Sequence, residues 1–134
     1  MPSAVTLVHA QTGMIFMAPS PIISIIIPAY NAARYLSFTL QSLQQQTLTA
    51  WEVIIVDDGS TDETAAIARA FAVSDSRFRL LGQTNQGEAA ARWAGAQMAH
   101  AEYINFLDAD DCMRPNCLKN LLDVAQQYPN AAVV

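Results

Sequence analysis

From Pro21 onward the apolar residues fall into short blocks whose period keeps changing. "PIISIII" (21–27) is a continuous run dominated by β-branched residues, the pattern of a strand covered on both faces, and Pro28 is expected to stop it. In "AARYLSFTLQSLQQQ", Leu36, Leu40 and Leu43 recur at helical spacing, with Asn31 as the expected N-cap. "WEVIIVD" (51–57) reads as a second buried strand. "GSTDETAAIARAFA" turns at Gly59 and enters a helix capped by Ser60 or Thr61, with Glu63 in reach for a capping box. "RFRLLGQ" is a shorter third strand, and "GEAAARWAGAQMAHA" an alanine-rich helix. "EYINFLD" (102–108) is the fourth strand, also expected to be buried. "RPNCLKNLLDVAQQY" is a helix with Pro115 near its first turn, and "AAVV" (131–134) begins a fifth strand.

Strands alternating with helices of this length imply a mainly parallel sheet in a three-layer α/β/α sandwich. In such sheets ligands sit beyond the carboxyl ends of the strands, near a topological switch point. Residues 1–20 show no clear period and contain Pro2, Gly13, Pro19, Met14 and Met17. They are expected to be a disordered lead or an over-long start, with Met17 an alternative first residue. Residues 21–134 form the organised region.

Composition narrows the class. Hydrophobic residues make up 52% of the 134 and charged residues only 14%, which suits a packed core rather than disorder. A net charge of −5 argues against nucleic acid as a partner. No segment reaches the roughly 18 apolar residues of a membrane span. The expected location is the cytoplasm, compatible with peripheral contact at the inner face of the membrane. Cys112 and Cys117 read as free thiols. His9 and His100 have no partner at ligand spacing, so each is expected at a surface or boundary.

The acids are unevenly spread. Of 12, four lie in "DDGSTDE" (Asp57, Asp58, Asp62, Glu63) and three in "DADD" (Asp108, Asp110, Asp111). Both groups follow a strand, so both belong at one edge of the sheet. Like charges gathered there need something positive or hydrogen-bonding between them. Asp62 and Glu63 suit the start of a helix. Asp108 and Asp110 flank one small alanine, and two such carboxylates can converge on a hard cation, Mn²⁺ or Mg²⁺. A cation of this kind lets an acidic site hold a diphosphate. There is neither a GxxxxGK[ST] loop nor a GxGxxG turn, which disfavours kinase-like and dinucleotide readings.

"ISIIIPAYNAARYL", "WEVIIVDDGSTDET", "NQGEAAARWAG" and "AEYINFLDADD" resemble, in order and spacing, the N-terminal half of family 2 glycosyltransferases of the GT-A fold. The resemblance implies a metal-dependent transferase that moves a sugar from a nucleotide-sugar donor, a UDP-sugar, to a carbohydrate or lipid-linked acceptor hydroxyl with inversion, as in the synthesis of cell-envelope polysaccharide. It implies that Pro28, Ala29, Tyr30 and Asn31 pass beside the base and that Asp58, with Asp57 the less certain partner, hydrogen-bonds it. Asn85, Gly87 and Arg92 would line the diphosphate and donor-sugar side. "DAD" would be the metal motif, with Asp110 the direct ligand, Asp108 on the ribose or the metal's waters, and Ala109 between them. The family often has Asn at the place of Trp93 and Gly at that of Ala101. The acceptor site and catalytic base are expected beyond Val134, so this stretch by itself reads alternatively as a non-catalytic nucleotide-sugar-binding module or an inactive remnant. Trp51 and Trp93 are expected to pack rather than to stack on sugar. A sheet cut short at "AAVV" would expose an edge, so self-association is expected.

Overall fold

The structure is a computed structural model that describes residues 6–10, 13–17 and 20–131. Strands β1 (Thr6–Ala10) and β2 (Gly13–Met17) pair antiparallel as a separate two-stranded sheet. These ten residues lie within the stretch read from the sequence as a disordered lead or an over-long start. Residues 1–5, 11–12 and 18–19 of that lead, and with them the question of the true start, lie outside the described residues.

The main sheet has four parallel strands: β3 (Ile23–Ala29), β4 (Trp51–Asp58), β5 (Phe78–Gln83) and β6 (Tyr103–Phe106). They alternate with helices α1 (Leu36–Gln44), α2 (Thr64–Ser74), α3 (Glu88–Gln97) and α4 (Cys117–Gln127). The order across the sheet is β5-β4-β3-β6. The chain thus steps outward twice from β3 and then returns to its other side, which makes the gap between β3 and β6 a topological switch point. The fifth strand expected at 131–134 falls, apart from Ala131, outside the described residues.

The period-2 geometry of strands sorts the apolar runs onto two faces. Ile23, Ile25, Ile27, Val53 and Ile55 pack with Leu36, Leu40 and Leu43 of α1, Ala68 of α2 and Leu118 and Leu122 of α4. Ile26, Ile54 and Val56 turn the other way, towards Ala91 of α3. Each fully buried Ile or Leu contributes roughly 1.5–3 kcal/mol of transfer free energy, so these two faces hold the sheet together. The α3 layer lies very close. A Cβ on Gly95 would clash with Ile26 Cγ2 and meet Val56 Cγ2 at 3.0 Å, so a larger residue would lift the helix off the sheet.

Three local expectations are corrected. Pro28 does not end its strand, which runs on to Ala29 in register with Asp57. Ile22 and Ile26 carbonyls accept bonds from Tyr103 and Leu107, so even-numbered residues of β3 point to β6. The β6 pairing stops at Ile26, and Pro28 therefore sits where no ladder donor is needed. Asn31 is not the cap of α1, which begins after Tyr35, and neither Ser60 nor Thr61 caps α2, which begins after Glu63 without a side-chain cap. Finally, β6 is not covered on both faces. Its residues alternate, with Ile104 and Phe106 exposed, because α3 packs over β3 and β4 and leaves the edge strand bare on that side.

Candidate active site

The carboxyl ends of β3 and β4 and the segment after β6 surround one cavity of about 670 Å³. Pro28, Ala29, Tyr30, Asn31, Asp58, Asn85, Gly87, Asp108, Ala109 and Asp110, ten of the residues that the resemblance assigned to the donor and the metal, line it. Asp57 and Arg92 do not. Ala32, Tyr35, Glu88 and Ala91 complete the wall. Glu88 and Ala91 lie on the alanine-rich helix, where the composition offered no sign of them.

The loops are bound to each other before any ligand arrives. Asn31 has a positive φ of 48°, a conformation its short polar side chain tolerates. Its side-chain oxygen accepts from the Thr61 backbone N–H (2.8 Å) and hydroxyl, and its own N–H donates to Ser60 Oγ (2.9 Å). The Ala32 N–H donates to Thr64 Oγ1 (2.8 Å), and the Ala33 N–H to Asp62 (3.1 Å). Asp62 also accepts from the Thr64 N–H, and its hydrogen bonds, that from the Thr64 hydroxyl foremost, hold its carboxyl below the usual range. The hydroxyls expected to cap α2 are thus spent on tying the loop after β3 to the loop after β4. Gly59 (φ 76°) closes the next junction, since a Cβ there would fall 2.7 Å from the Asn85 backbone nitrogen.

Asp58 is buried at the end of β4, only 3% exposed. Its Oδ1 accepts from Gln83 Nε2 (2.8 Å) and the Gln86 N–H (2.8 Å), and its Oδ2 from the Gly87 N–H (2.9 Å). Burial opposes ionisation, but these three donors outweigh it and keep the carboxyl below its ordinary value. Oδ2 retains room for one more donor. Gln83 and Gln86 escaped the sequence reading, because nothing local marks a residue whose partner lies 25 or more positions away. Asp57 points elsewhere, and its Oδ1 accepts from the Ser60 N–H at 3.1 Å, holding the turn.

The strand-like alternation outlasts β6. Leu107 and Ala109 are buried while Asp108, Asp110 and Asp111 are exposed. Thr39 Oγ1, buried in α1, donates to the Ala109 carbonyl (2.8 Å), and the Asp111 N–H donates to the Asp108 carbonyl (3.1 Å). The small alanine is pulled inward and the acids are pushed out together. One carboxylate oxygen from each of the three lies within 4.8 Å of the others. Oxygen-only donors at this spacing fit a hard divalent cation. Arg92 reaches the same place from α3, with one guanidinium nitrogen 2.7 Å from Glu88 and 3.1 Å from Asp108.

The two tryptophans differ. Trp51 is buried, edge-on to Phe78, with the Arg77 guanidinium 3.7 Å from its ring centroid. Trp93 stands 69% exposed on α3, so the packing expectation fails for it. His100 lies at the surface as expected, but it does not stand alone, since its ring and backbone N–H both meet Glu52. Both cysteines are free.

Known proteins resemble this chain in sequence and in fold. The family model for glycosyl transferase family 2 matches residues 24–134. Glycosyltransferase GlyG of Streptococcus pneumoniae is 39% identical over 116 residues, covering 86% of this chain and 38% of that protein. The chondroitin synthase of Escherichia coli is 38% identical over 103 residues, covering 77% and 15%. The structure of S. aureus TarS in complex with UDP-GlcNAc superposes with a TM-score of 0.72 at 29% identity, over 81% of this chain and 32% of that one. The mannosyltransferase PcManGT from Pyrobaculum calidifontis, in complex with GDP-Man and Mn²⁺, does so with 0.70 at 27% identity, over 86% and 34%. The chain therefore spans well under half the length of these relatives. With the GT-A sheet, its switch-point cavity and a family match over nearly all of the main domain, the chain belongs to glycosyl transferase family 2.

Proposed function

We propose that this chain supplies the donor-binding part of an inverting, metal-dependent glycosyltransferase that moves a sugar from UDP to the hydroxyl of a carbohydrate or lipid-linked acceptor. The observation that carries the reading is convergence: Asp58 and the Asp108–Asp110 pair, 50 residues apart in sequence, face one cavity whose volume suits a nucleotide sugar. The similarity to structures holding UDP-GlcNAc, and GDP-Man with Mn²⁺, supports it.

In this reading the base lies against Pro28, Ala29 and Tyr30, and the free position on Asp58 Oδ2 accepts a ring N–H, which uracil offers. Asn85 and Gly87 face the diphosphate. Asp110, with Asp108, would hold Mn²⁺ or Mg²⁺, which when bound neutralises charge on the departing diphosphate. A base in the acceptor part of the complete enzyme would take the proton of the acceptor hydroxyl, whose oxygen bonds to the anomeric carbon in line as the bond to the diphosphate breaks; attack on the face opposite the leaving group gives inversion.

The test is a thermal-shift titration with UDP, GDP, dTDP and CDP, each with and without Mn²⁺. A ligand that binds only the folded state raises the apparent Tm. The expected result is a rise with UDP that requires Mn²⁺ and disappears in Asp110→Ala. A cooperative melt that no nucleotide shifts, with or without Mn²⁺, overturns the proposal. A rise with GDP alone overturns the choice of UDP.

A further inference from the structure

Arg92 is placed where a cation would go. Its guanidinium nitrogen lies 3.1 Å from Asp108 Oδ1, one of the three carboxylates gathered within 4.8 Å. Among the described residues, Asp110 and Asp111 make no ion pair, so Arg92, through Asp108, is the one cation paired with the group. Helix α3 sets this reach. Gly95 seats the helix against Ile26 and Val56, and Arg92, nearly one turn earlier, extends over β6, its Cζ 5.9 Å from the Phe106 ring.

Two features make the contact provisional. Both side chains are substantially exposed, 39% and 52%, and ion pairs of this kind are weak. The Arg92 Nε atom is also enclosed without a hydrogen-bond partner, so this orientation leaves one of its donors unused. Glu88, at 2.7 Å, holds the same guanidinium from the side of the cavity that it lines with Asn85 and Gly87.

We propose that Arg92 is a resident counter-ion that exchanges: a divalent cation at Asp108 and Asp110 displaces its guanidinium, which pivots on Glu88 and gives its unused donor to the diphosphate. The diphosphate half of this inference rests on the function proposed above; the displacement half does not. Two like charges cannot share Asp108 Oδ1 at contact distance, so the cation and the guanidinium compete for it. Once a diphosphate is present, the same guanidinium becomes a favourable partner. Removing Arg92 must therefore change the two affinities in opposite directions, which loss of a merely structural residue would not do.

The experiment measures binding of Mn²⁺ alone, by the electron paramagnetic resonance signal of the free ion, and binding of UDP at saturating Mn²⁺, by calorimetry. The proteins are the full chain, Arg92→Gln, Arg92→Lys and Arg69→Gln, the last removing a positive charge from the exposed face of α2. In Arg92→Gln the affinity for Mn²⁺ alone should rise about two- to fivefold, the range of an exposed ion pair. UDP affinity should fall about tenfold or more, the range of a charge-assisted hydrogen bond. Arg92→Lys should stay near the parent for Mn²⁺ alone, and Arg69→Gln should leave both unchanged. An Arg92→Gln protein that binds Mn²⁺ no better than Arg69→Gln, or weakens both ligands together, overturns the exchange, as does absence of Mn²⁺ binding by every protein. If Mn²⁺ behaves as expected and UDP binds none of the proteins, displacement stands, while the diphosphate half and the proposed function fall together.

Discussion

At the amino end of the sheet Glu52 is buried among partners, whereas at the carboxyl end Asp110 and Asp111 stand in solvent and make no ion pair among the described residues. Glu52 Oε1 accepts from Ser24 Oγ (2.7 Å) and the His100 N–H (2.6 Å), and its Oε2 faces Arg79 (3.3 Å) and His100 Nδ1 (3.1 Å). Burial works against its ionisation, yet the hydrogen bonds from the His100 backbone, Ser24 and the His100 ring, with the charge of His100, hold its pKa below the usual value. Ser24 in turn receives the Ala101 N–H (3.1 Å), so this one carboxylate ties β3, β4 and β5 to the connection between α3 and β6. The same chemical group thus serves two ends. Where the fold supplies every partner, the acid is a fastener. Where the fold supplies too few, the acid is left in solvent.

The sharpest way to break this contrast is to remove the fastener. Glu52→Ala leaves Arg79 and Ser24 without their buried acceptor and should cost about 3 kcal/mol in denaturant unfolding. A loss no larger than that of an exposed acid would remove the distinction between the two ends. Asp58 tests the boundary, because it lies at the ligand end yet has internal partners. Asp58→Ala strands the Gln83 amide and two backbone N–H groups and should cost about 1–3 kcal/mol, in addition to any loss of nucleotide binding.

Acid titration separates the partnered acids by sign. The folded-state pKa values of Glu52 and Asp58 lie below their ordinary values of 4.5 and 3.8. Their contribution is complete above those ordinary values and is lost as the pH falls through the folded-state values. Stability should be flat above about pH 5 and decline below it, and the double variant Glu52→Gln, Asp58→Asn should decline less steeply. Unfolding free energy measured from pH 6 down to pH 3 checks this. The smallest effect on stability is expected at the open end, where Asp110→Ala should change unfolding by no more than about 0.5 kcal/mol while abolishing the Mn²⁺-dependent nucleotide response. A large destabilisation would make Asp110 a second fastener.

Much of this was visible along the chain. "PIISIII" and "WEVIIVD" marked the two central strands, because a strand covered on both faces must be apolar throughout. The two groups of acids could be placed at one end of the sheet by a local rule, because residues just after parallel strands share one edge, whereas Pro28, Ala29, Tyr30, Asn31, Asn85 and Gly87 were named only through the family resemblance. The misses have one source. Asn31, Ser60 and Thr61 looked like helix caps by local rules, yet their polar atoms serve contacts about 30 residues away. His100 looked solitary because its carboxylate partner is 48 residues distant. Ile104 and Phe106 looked buried because "EYINFLD" carries aromatic and aliphatic residues on both faces, and only strand order decides which strand lies at the edge.

By itself, then, the sequence determined the alternation of strand and helix, the parallel sheet and the edge at which the acids gather, since periodicity and chain direction are local properties. Tertiary structure alone decided which carboxylates are satisfied. Glu52 and Asp58 are held by donors brought from distant segments, while Asp110 and Asp111 were left to solvent by an alanine drawn inward to Thr39. That division follows from physics: a charge becomes structural or available according to the partners within about 3–4 Å of it, and only the folded chain sets those distances.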